Sequence, residues 1–317
     1  LNQFWVNTLG TKGGRQTVDL IVNFTPTGMI PYKRMTPHVP ITVEEIVEDV
    51  HKALEIGITM VHLHARDESN EDPTYRAEIY GRIIEGIRSF SKELVIGVST
   101  SGRTFQEFEK RAEPLQLKGD VKPDMGSLTL SSLNFNQIAS VNAPDMIQAL
   151  AREMKTLGIL PELEAFDAGM INYAKYLEEK GFLAPPHYFN LLLGNIACAQ
   201  ADLLHAGIMI RDLPHKSFWS LGGIGNSQLM MNAVAIAAGG GVRVGLEDNI
   251  WYNTKRTRHA PNADLLRRIH NLAEANERKV MSSADLRKNL NLQKGFGKYG
   301  RLDDDAALPP TLLPGQG

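Results

Sequence analysis

The feature that most constrains this chain is a repeated exchange of short β-branched runs for longer amphipathic stretches. Eight such runs can be counted, at 20–24, 59–64, 94–99, 125–130, 160–166, 188–193, 218–221 and 242–246. Parallel strands cannot be joined by tight turns and need a crossover, which a helix usually supplies. The alternation therefore predicts a parallel sheet with helices outside it. Eight repeats over this length match a closed TIM (β/α)8 barrel, an α/β fold. An open doubly wound sheet would carry a glycine-rich dinucleotide turn after its first strand. The first run instead enters Thr25-Pro-Thr-Gly-Met-Ile-Pro31, which cannot cradle a pyrophosphate in that way.

The spacers carry helix signals of their own. Thr42-Val-Glu-Glu45 is a capping box, in which hydroxyl and carboxylate each take an amide that the first helical turn leaves unpaired. Ile46, Val50, Ala53 and Leu54 then fall on one face, and Gly57 stands where a left-handed C-terminal cap is needed. Further helices are expected at 75–90, 144–157, 228–238 and 262–277. The stretch 26–40, rich in Pro and Thr, reads as a loop over the barrel mouth. The expected organisation is one domain over 1–317, with an N-terminal arm and a C-terminal extension from about 278. Asp303 to Gly317 is acidic, then rich in Pro and Gly, and reads as an extended arm.

Composition removes several functional classes. A net charge of −2 without a long basic block argues against nucleic acid or an acidic membrane surface as partner. No apolar run is long enough to span a bilayer. Leu1-Asn2-Gln3-Phe4 shows no basic region leading into an apolar one, so no signal peptide is expected. The single cysteine, Cys198, cannot form an internal disulfide, which suits a reducing, cytoplasmic setting. Its surroundings read as a helix, with Cys198 as a small packing residue rather than a nucleophile.

Barrel enzymes carry their chemistry at the C-terminal ends of the strands. The second run closes on His62-Leu63-His64, and residues i and i+2 of a strand share a face. Both imidazoles therefore project into the barrel mouth, where they can share Zn2+ or another divalent ion. Such a site needs a third, preferably anionic, ligand. The eighth run, continuing to Arg243-Val-Gly-Leu-Glu247-Asp248, offers Glu247 as that ligand and Arg243 with Asp248 as a coupled pair. A buried arginine demands a partner, which Asp248 or Glu164 could supply. Glu162 and Glu164 form another same-face pair, either of which could support the metal or meet substrate. Hydroxyl and amide groups at neighbouring strand ends, Ser99, Ser101, Ser127, Thr129 and Asn190, are candidates for substrate binding. Gly223, Gly225 and Asn226 lie in a glycine-rich turn before a helix and are candidates for holding an anionic cofactor group. The triplet at 239–241 reads as a tight turn at the opposite face.

These segments together resemble the β-keto acid cleavage enzyme family, which includes the 3-keto-5-aminohexanoate cleavage enzyme. The resemblance is carried by Pro40-Ile-Thr42, Val61-His-Leu-His-Ala-Arg-Asp67, Val98-Ser-Thr-Ser-Gly-Arg103, Glu162-Leu-Glu-Ala-Phe-Asp167, Gly223-Ile-Gly-Asn-Ser227 and Val242-Arg-Val-Gly-Leu-Glu-Asp-Asn249. It implies a zinc-dependent barrel that condenses a β-keto acid with acetyl-CoA, giving acetoacetate and the CoA ester of the remaining acyl group. It implies His62, His64 and Glu247 as metal ligands, Arg243 and Asp248 as the catalytic pair, and Ser99 and Glu164 in the substrate site. It also implies enolate stabilisation by the ion, a retro-Claisen release step and a homo-oligomer, a tetramer. The aminohexanoate enzyme carries an acidic residue near the position of Thr27-Gly28; here Met29 and Ile30 follow instead, so an apolar or otherwise substituted acyl chain is expected. The alternatives are a metal-dependent barrel hydrolase, a metal aldolase working without CoA, and a non-catalytic binding protein.

Overall fold

The computed structural model describes residues 18–295 and 299–301. The expected N-terminal arm and the Asp303–Gly317 arm fall outside the described residues, apart from Val18 and Asp19. Eight parallel strands close into a barrel in chain order. They are β1 (Val22–Phe24), β2 (Met60–Leu63), β3 (Val95–Val98), β4 (Met125–Thr129), β5 (Leu160–Ala165), β6 (His187–Leu193), β7 (Ser217–Gly223) and β8 (Gly241–Val244). The closing pair is β8 against β1, with Arg243 opposite Asn23.

Nine helices of the described chain follow: α1 (Val43–Ile56), α2 (Ala77–Phe90), α3 (Phe108–Ala112), α4 (Pro144–Leu157), α5 (Ala168–Glu179), α6 (Leu203–Asp212), α7 (Gln228–Ala238), α8 (Asn262–Ala275) and α9 (Ser283–Leu290). The capping box of α1 forms on both sides, and Gly57 closes that helix at φ 114°. α4 and α7 have the expected bounds, while α2 and α8 start or stop two residues inside theirs. Cys198 corrects one expectation, because it lies in a turn between β6 and α6 rather than on a helix. Gly194 N–H bonds back to Ala199 O across that turn, and the helix begins only after Asp202 caps it. Burial raises the Cys198 thiol pKa, which suits packing.

The barrel interior is layered from apolar to charged. At the bottom, Ile21, Met60, Val95, Met125, Leu160 and Tyr188 pack on Leu286 and Leu290 of α9, which plugs that end. Asp124 locks the plug, accepting from Arg88 Nη2 at 2.8 Å and from Arg287 Nη1 and Nη2, each at 2.8 Å. Asn23, His62, Glu162 and Asn190 make the next, buried layer. Above them stand His64, Thr129, Glu164, Arg243 and Glu247, facing the mouth. None of the described helices is long and apolar enough to cross a membrane.

Candidate metal centre

His62 comes from β2 and His64 directly follows it, so strand alternation turns both rings inward. Their Nε2 atoms lie 3.2 Å apart, and His64 Nε2 lies 3.1 Å from Glu247 Oε1. One ligand atom from each residue falls within 4.8 Å of the other two. Two imidazole nitrogens at that separation either share a proton or direct both lone pairs at one cation. His62 Nδ1 is 2.7 Å from Glu162 Oε2, so an ionised Glu162 takes the Nδ1 proton and leaves the Nε2 lone pair for a ligand. Burial alone would raise the Glu162 pKa, but the charge and hydrogen bond of His62 hold the carboxyl below its usual range. Burial alone would also lower His62, yet the charges of Glu162 and Glu247 push it up to about 9. The site thus asks for positive charge. Glu247 Oε2 is buried without a partner, which fits a further interaction with a cation.

Two glycines make the room. A Cβ on Gly97 would come within 2.8 Å of Glu162 Oε2. Gly28, at φ +67°, lets the loop after β1 lie against Glu247, whose Cγ a Cβ there would meet at 2.6 Å.

Arg243 is the centre of the carboxylate cluster. Its Nη2 is 2.7 Å from Glu247 Oε1, its Nε 3.1 Å from Asp248 Oδ2, and its Nη1 3.7 Å from Glu164 Oε1. Had β8 continued, Glu247 and Asp248 would point to opposite faces. The strand ends at Val244, and a turn returning to Gly245 O brings both neighbours to one guanidinium. Burial pushes the Asp248 carboxyl up to about 6, with Arg243 opposing and Glu247 reinforcing the rise. Glu164 accepts from Thr129 Oγ1 at 2.7 Å.

A cavity of about 220 Å³ opens over this cluster. His64, Ser99, Ser101, Thr129, Glu164, Arg243, Glu247 and Asp248 line it, with Met29 and Ile30 from the loop at 26–40. The other candidates lie elsewhere. Ser127 is beneath, accepting from Thr100 N–H at 3.0 Å. Asn190 is beneath too, donating to Glu162 Oε1 at 2.5 Å. Gly223, Gly225 and Asn226 are outside the lining, although Ile224 is part of it. Three amides of their turn are already used: Ile224 N–H bonds Leu193 O, Gly225 N–H bonds Asp248 O, and Ser227 N–H bonds Ile224 O. The Asn226 side chain bonds Thr254 O and Arg256 Nε. Sequence reasoning missed Asn23, which donates to Glu162 Oε1 at 2.8 Å; its place two residues after Ile21 on an inward face was the available signal. It did not single out Arg103, which also lines the cavity.

A family model described as beta-keto acid cleavage enzyme matches residues 19–292. The 3-oxoadipate:acetyl-CoA acetyltransferase of Cupriavidus necator is 36% identical over 279 residues, 87% of this chain and 96% of that protein. The 3-keto-5-aminohexanoate cleavage enzyme of Fusobacterium nucleatum is 33% identical over 277 residues, 87% of this chain and 98% of that protein. Among solved structures, the ternary complex of ObcA with a C4-CoA adduct and oxalate superposes with a TM-score of 0.70 at 21% identity, over 81% of this chain and 68% of that one. At that identity the likeness speaks for the barrel fold alone.

Proposed function

Because the chain belongs to the beta-keto acid cleavage enzyme family, we propose that it condenses a β-keto acid with acetyl-CoA, giving acetoacetate and a new acyl-CoA, with Zn2+ held by His62, His64 and Glu247. The observation that carries this reading is the convergence of those three donors beside the Arg243–Asp248 pair, with His64 and Glu247 lining one cavity and His62 buried behind them. The donor set of two imidazoles and one carboxylate suits zinc and leaves coordination positions free. A bound divalent ion would supply Lewis-acid stabilisation of enolate charge.

The protein groups then have defined work. Asp248 takes the proton from C2 of the β-keto acid; its raised pKa makes it a stronger base than a surface aspartate while still ionised at neutral pH. Arg243 fixes the Asp248 carboxylate through Nε and keeps three neighbouring carboxylates from repelling one another. The C2 carbanion attacks the acetyl carbonyl and expels CoA thiolate. The thiolate adds to the original keto carbonyl, and the bond from that carbon to C2 breaks. Acyl-CoA leaves, and acetoacetate regains the proton at C2. Ser99, Ser101, Thr129 and Glu164 line the space where the substrate carboxylate and keto oxygens would be oriented.

The proposal extends to a reducing cytoplasmic setting, in keeping with the single cysteine, and to a homo-oligomer. Ile196 in the connection after β6 and Leu203 and Leu204 at the start of α6 are each about 70% exposed, apolar surface that suits burial against another copy. The two relatives are named for keto acids ending in a carboxylate and bearing an amine, so the family leaves the acyl chain open. The test is product analysis with a panel of β-keto acids, acetyl-CoA and Zn2+. Formation of acetoacetate with a matching acyl-CoA supports the reading, and absence of CoA-ester exchange with every acid sinks it. His62→Ala should lose both bound metal and turnover; stoichiometric metal in that variant would remove His62 from the ligand set.

A further inference from the structure

The cavity holds a second arginine that the reaction just described does not use. Arg103 lines the wall in the loop after β3. That loop is pinned on both sides: Thr100 Oγ1 donates to Ser127 O at 2.6 Å, Arg111 Nε donates to Thr100 O at 2.8 Å, and Val141 N–H donates to Gly102 O at 3.3 Å. The guanidinium lies over the ring of Phe135, 3.6 Å from its centroid, and Phe135 meets Phe166 edge-on. Stacking fixes the plane of the guanidinium and leaves its N–H edge available. Unlike Arg243, it makes no ion pair within 4.0 Å among the described residues, and its Nε is buried without a hydrogen-bond partner. A fixed, partly buried cation with unused donors, facing a ligand cavity, is a receptor for an anion.

Building on the β-keto acid reading above, we propose that Arg103 selects substrates whose acyl chain ends in a second carboxylate. The C1 carboxylate and keto oxygen belong near the metal donors and Ser99, where the chemistry occurs. Arg103 feels the charges of Glu247, Glu164 and Asp248 across the cavity but forms no ion pair with any of them, and its guanidinium lies on the aromatic wall, where the far end of an acyl chain would lie. The phosphates of CoA sit at the other end of a long pantetheine arm and do not fit a cavity of about 220 Å³. An ammonium-bearing chain would meet a cation here, and the cavity carboxylates are already drawn to Arg243. The aliphatic stretch between the two carboxylates would run along Met29, Ile30, Leu133 and Phe135.

The experiment compares two β-keto acids of equal chain length, one ending in carboxylate and one in methyl, with zinc-loaded enzyme and saturating acetyl-CoA. Wild type should favour the dicarboxylic acid in kcat/KM. Arg103→Met should lower that kcat/KM about 100-fold, mainly through KM, as expected for a lost charge-assisted bidentate contact. The methyl-terminated acid should change by less than about threefold, since uniform binding there does not involve the cation. Arg103→Lys should recover part of the preference. Metal content and melting temperature of both variants are measured alongside. Equal losses on both acids would assign Arg103 to the C1 carboxylate and overturn the proposal. A rise in the acetyl-CoA KM alone, or no change at all, overturns it as well. If wild type converts the methyl-terminated acid with no preference between the two, the Arg103 assignment fails alone; if it converts neither, nor any other β-keto acid, the underlying reaction fails.

Discussion

Replacing Glu162 with glutamine tests whether the layer beneath the proposed metal ligands controls them. The Glu162 side chain is fully buried and its two oxygens serve different partners. Oε2 takes His62 Nδ1 at 2.7 Å, whereas Oε1 takes Asn23 Nδ2 at 2.8 Å and Asn190 Nδ2 at 2.5 Å. A glutamine has one acceptor oxygen and must disappoint one side. With oxygen toward the asparagines, its amide faces His62 Nδ1 and moves the imidazole proton to Nε2, the nitrogen turned toward His64 and Glu247. With oxygen toward His62, the amide confronts two donors; Asn23 can rotate to offer its unpartnered Oδ1, but Asn190 Oδ1 already accepts from Asn23 and Tyr188. Loss of such a supporting carboxylate weakens metal binding by about 10- to 100-fold. The stranded donor costs on the order of 1–3 kcal/mol of stability. Competition against a chromophoric chelator measures the affinity, and urea unfolding of the apo-protein measures the fold. An unchanged zinc dissociation constant in Glu162→Gln would refute the reasoning, because the tautomer would then owe nothing to Glu162.

Three further outcomes follow from other contacts. Arg243→Lys should lower kcat about 10²- to 10³-fold, since a single ammonium cannot meet carboxylates at 2.7, 3.1 and 3.7 Å in three directions; steady-state kinetics with wild-type kcat retained would refute this. Asp124→Asn should cost about 3–5 kcal/mol, because it leaves Arg88 and Arg287 buried against a neutral group. Urea unfolding checks the loss, and an unchanged midpoint would show that the plug does not depend on this ion cluster. Asp49 is pushed up to about 6 from 3.8 by burial, so its charged form opposes folding. Its penalty is absent below the unfolded pKa, grows as pH rises through about 6, and then stays constant. Asp49→Asn, which can still accept from Asn262 Nδ2, should therefore be more stable than wild type at pH 7.5 by up to about 3 kcal/mol and indistinguishable near pH 3.5. Parallel unfolding curves at the two pH values decide it.

The barrel was legible because its period is local: eight runs, each followed by a helical pattern, demand parallel closure whatever the side-chain details. The same-face placement of His62 and His64 was legible for the same reason, since alternation along one strand needs no knowledge of its neighbour. Depth across strands was not. Glu162 and Glu164 look equivalent in sequence, but pairing of β5 with β6 sets Glu162 beside Tyr188 and Glu164 beside Asn190, one layer apart. That single step sends Glu162 to the back of His62 and Glu164 to Thr129 and Arg243. Ser127 falls beside Glu162 by the same register, whereas Asn190, paired with Glu164, gives its side-chain amide to Glu162 Oε1. The turn at 223–226 shows another limit. Glycine content marks it as able to approach an anion, yet whether its amides are free depends on Leu193 O and Asp248 O, which only the folded chain brings near.

The two arginines of the cavity show how this layering separates support from recognition. A cation needed for architecture is paired with protein charges, and Arg243 is: its three carboxylates come from β5 and the turn after β8, and its backbone oxygen is held by Asn232, although Nη1 reaches Glu164 only at 3.7 Å and has no hydrogen bond. A cation kept for a ligand must be rigid but incompletely satisfied, which is what stacking on Phe135 gives Arg103. Both lie above a floor in which Asn23 and Asn190 bond Glu162 and Glu162 bonds His62, and above an apolar layer sealed by α9. Because that lower structure supports the donors through Glu162 and makes no hydrogen bond to Arg103, the wall around Arg103 can vary with the acyl chain while His62, His64 and Glu247 keep their positions. Changes of substrate in such a barrel should therefore concentrate in the loop after β3 and the loop after β1, and leave the inward residues of β2 and β5 as they are.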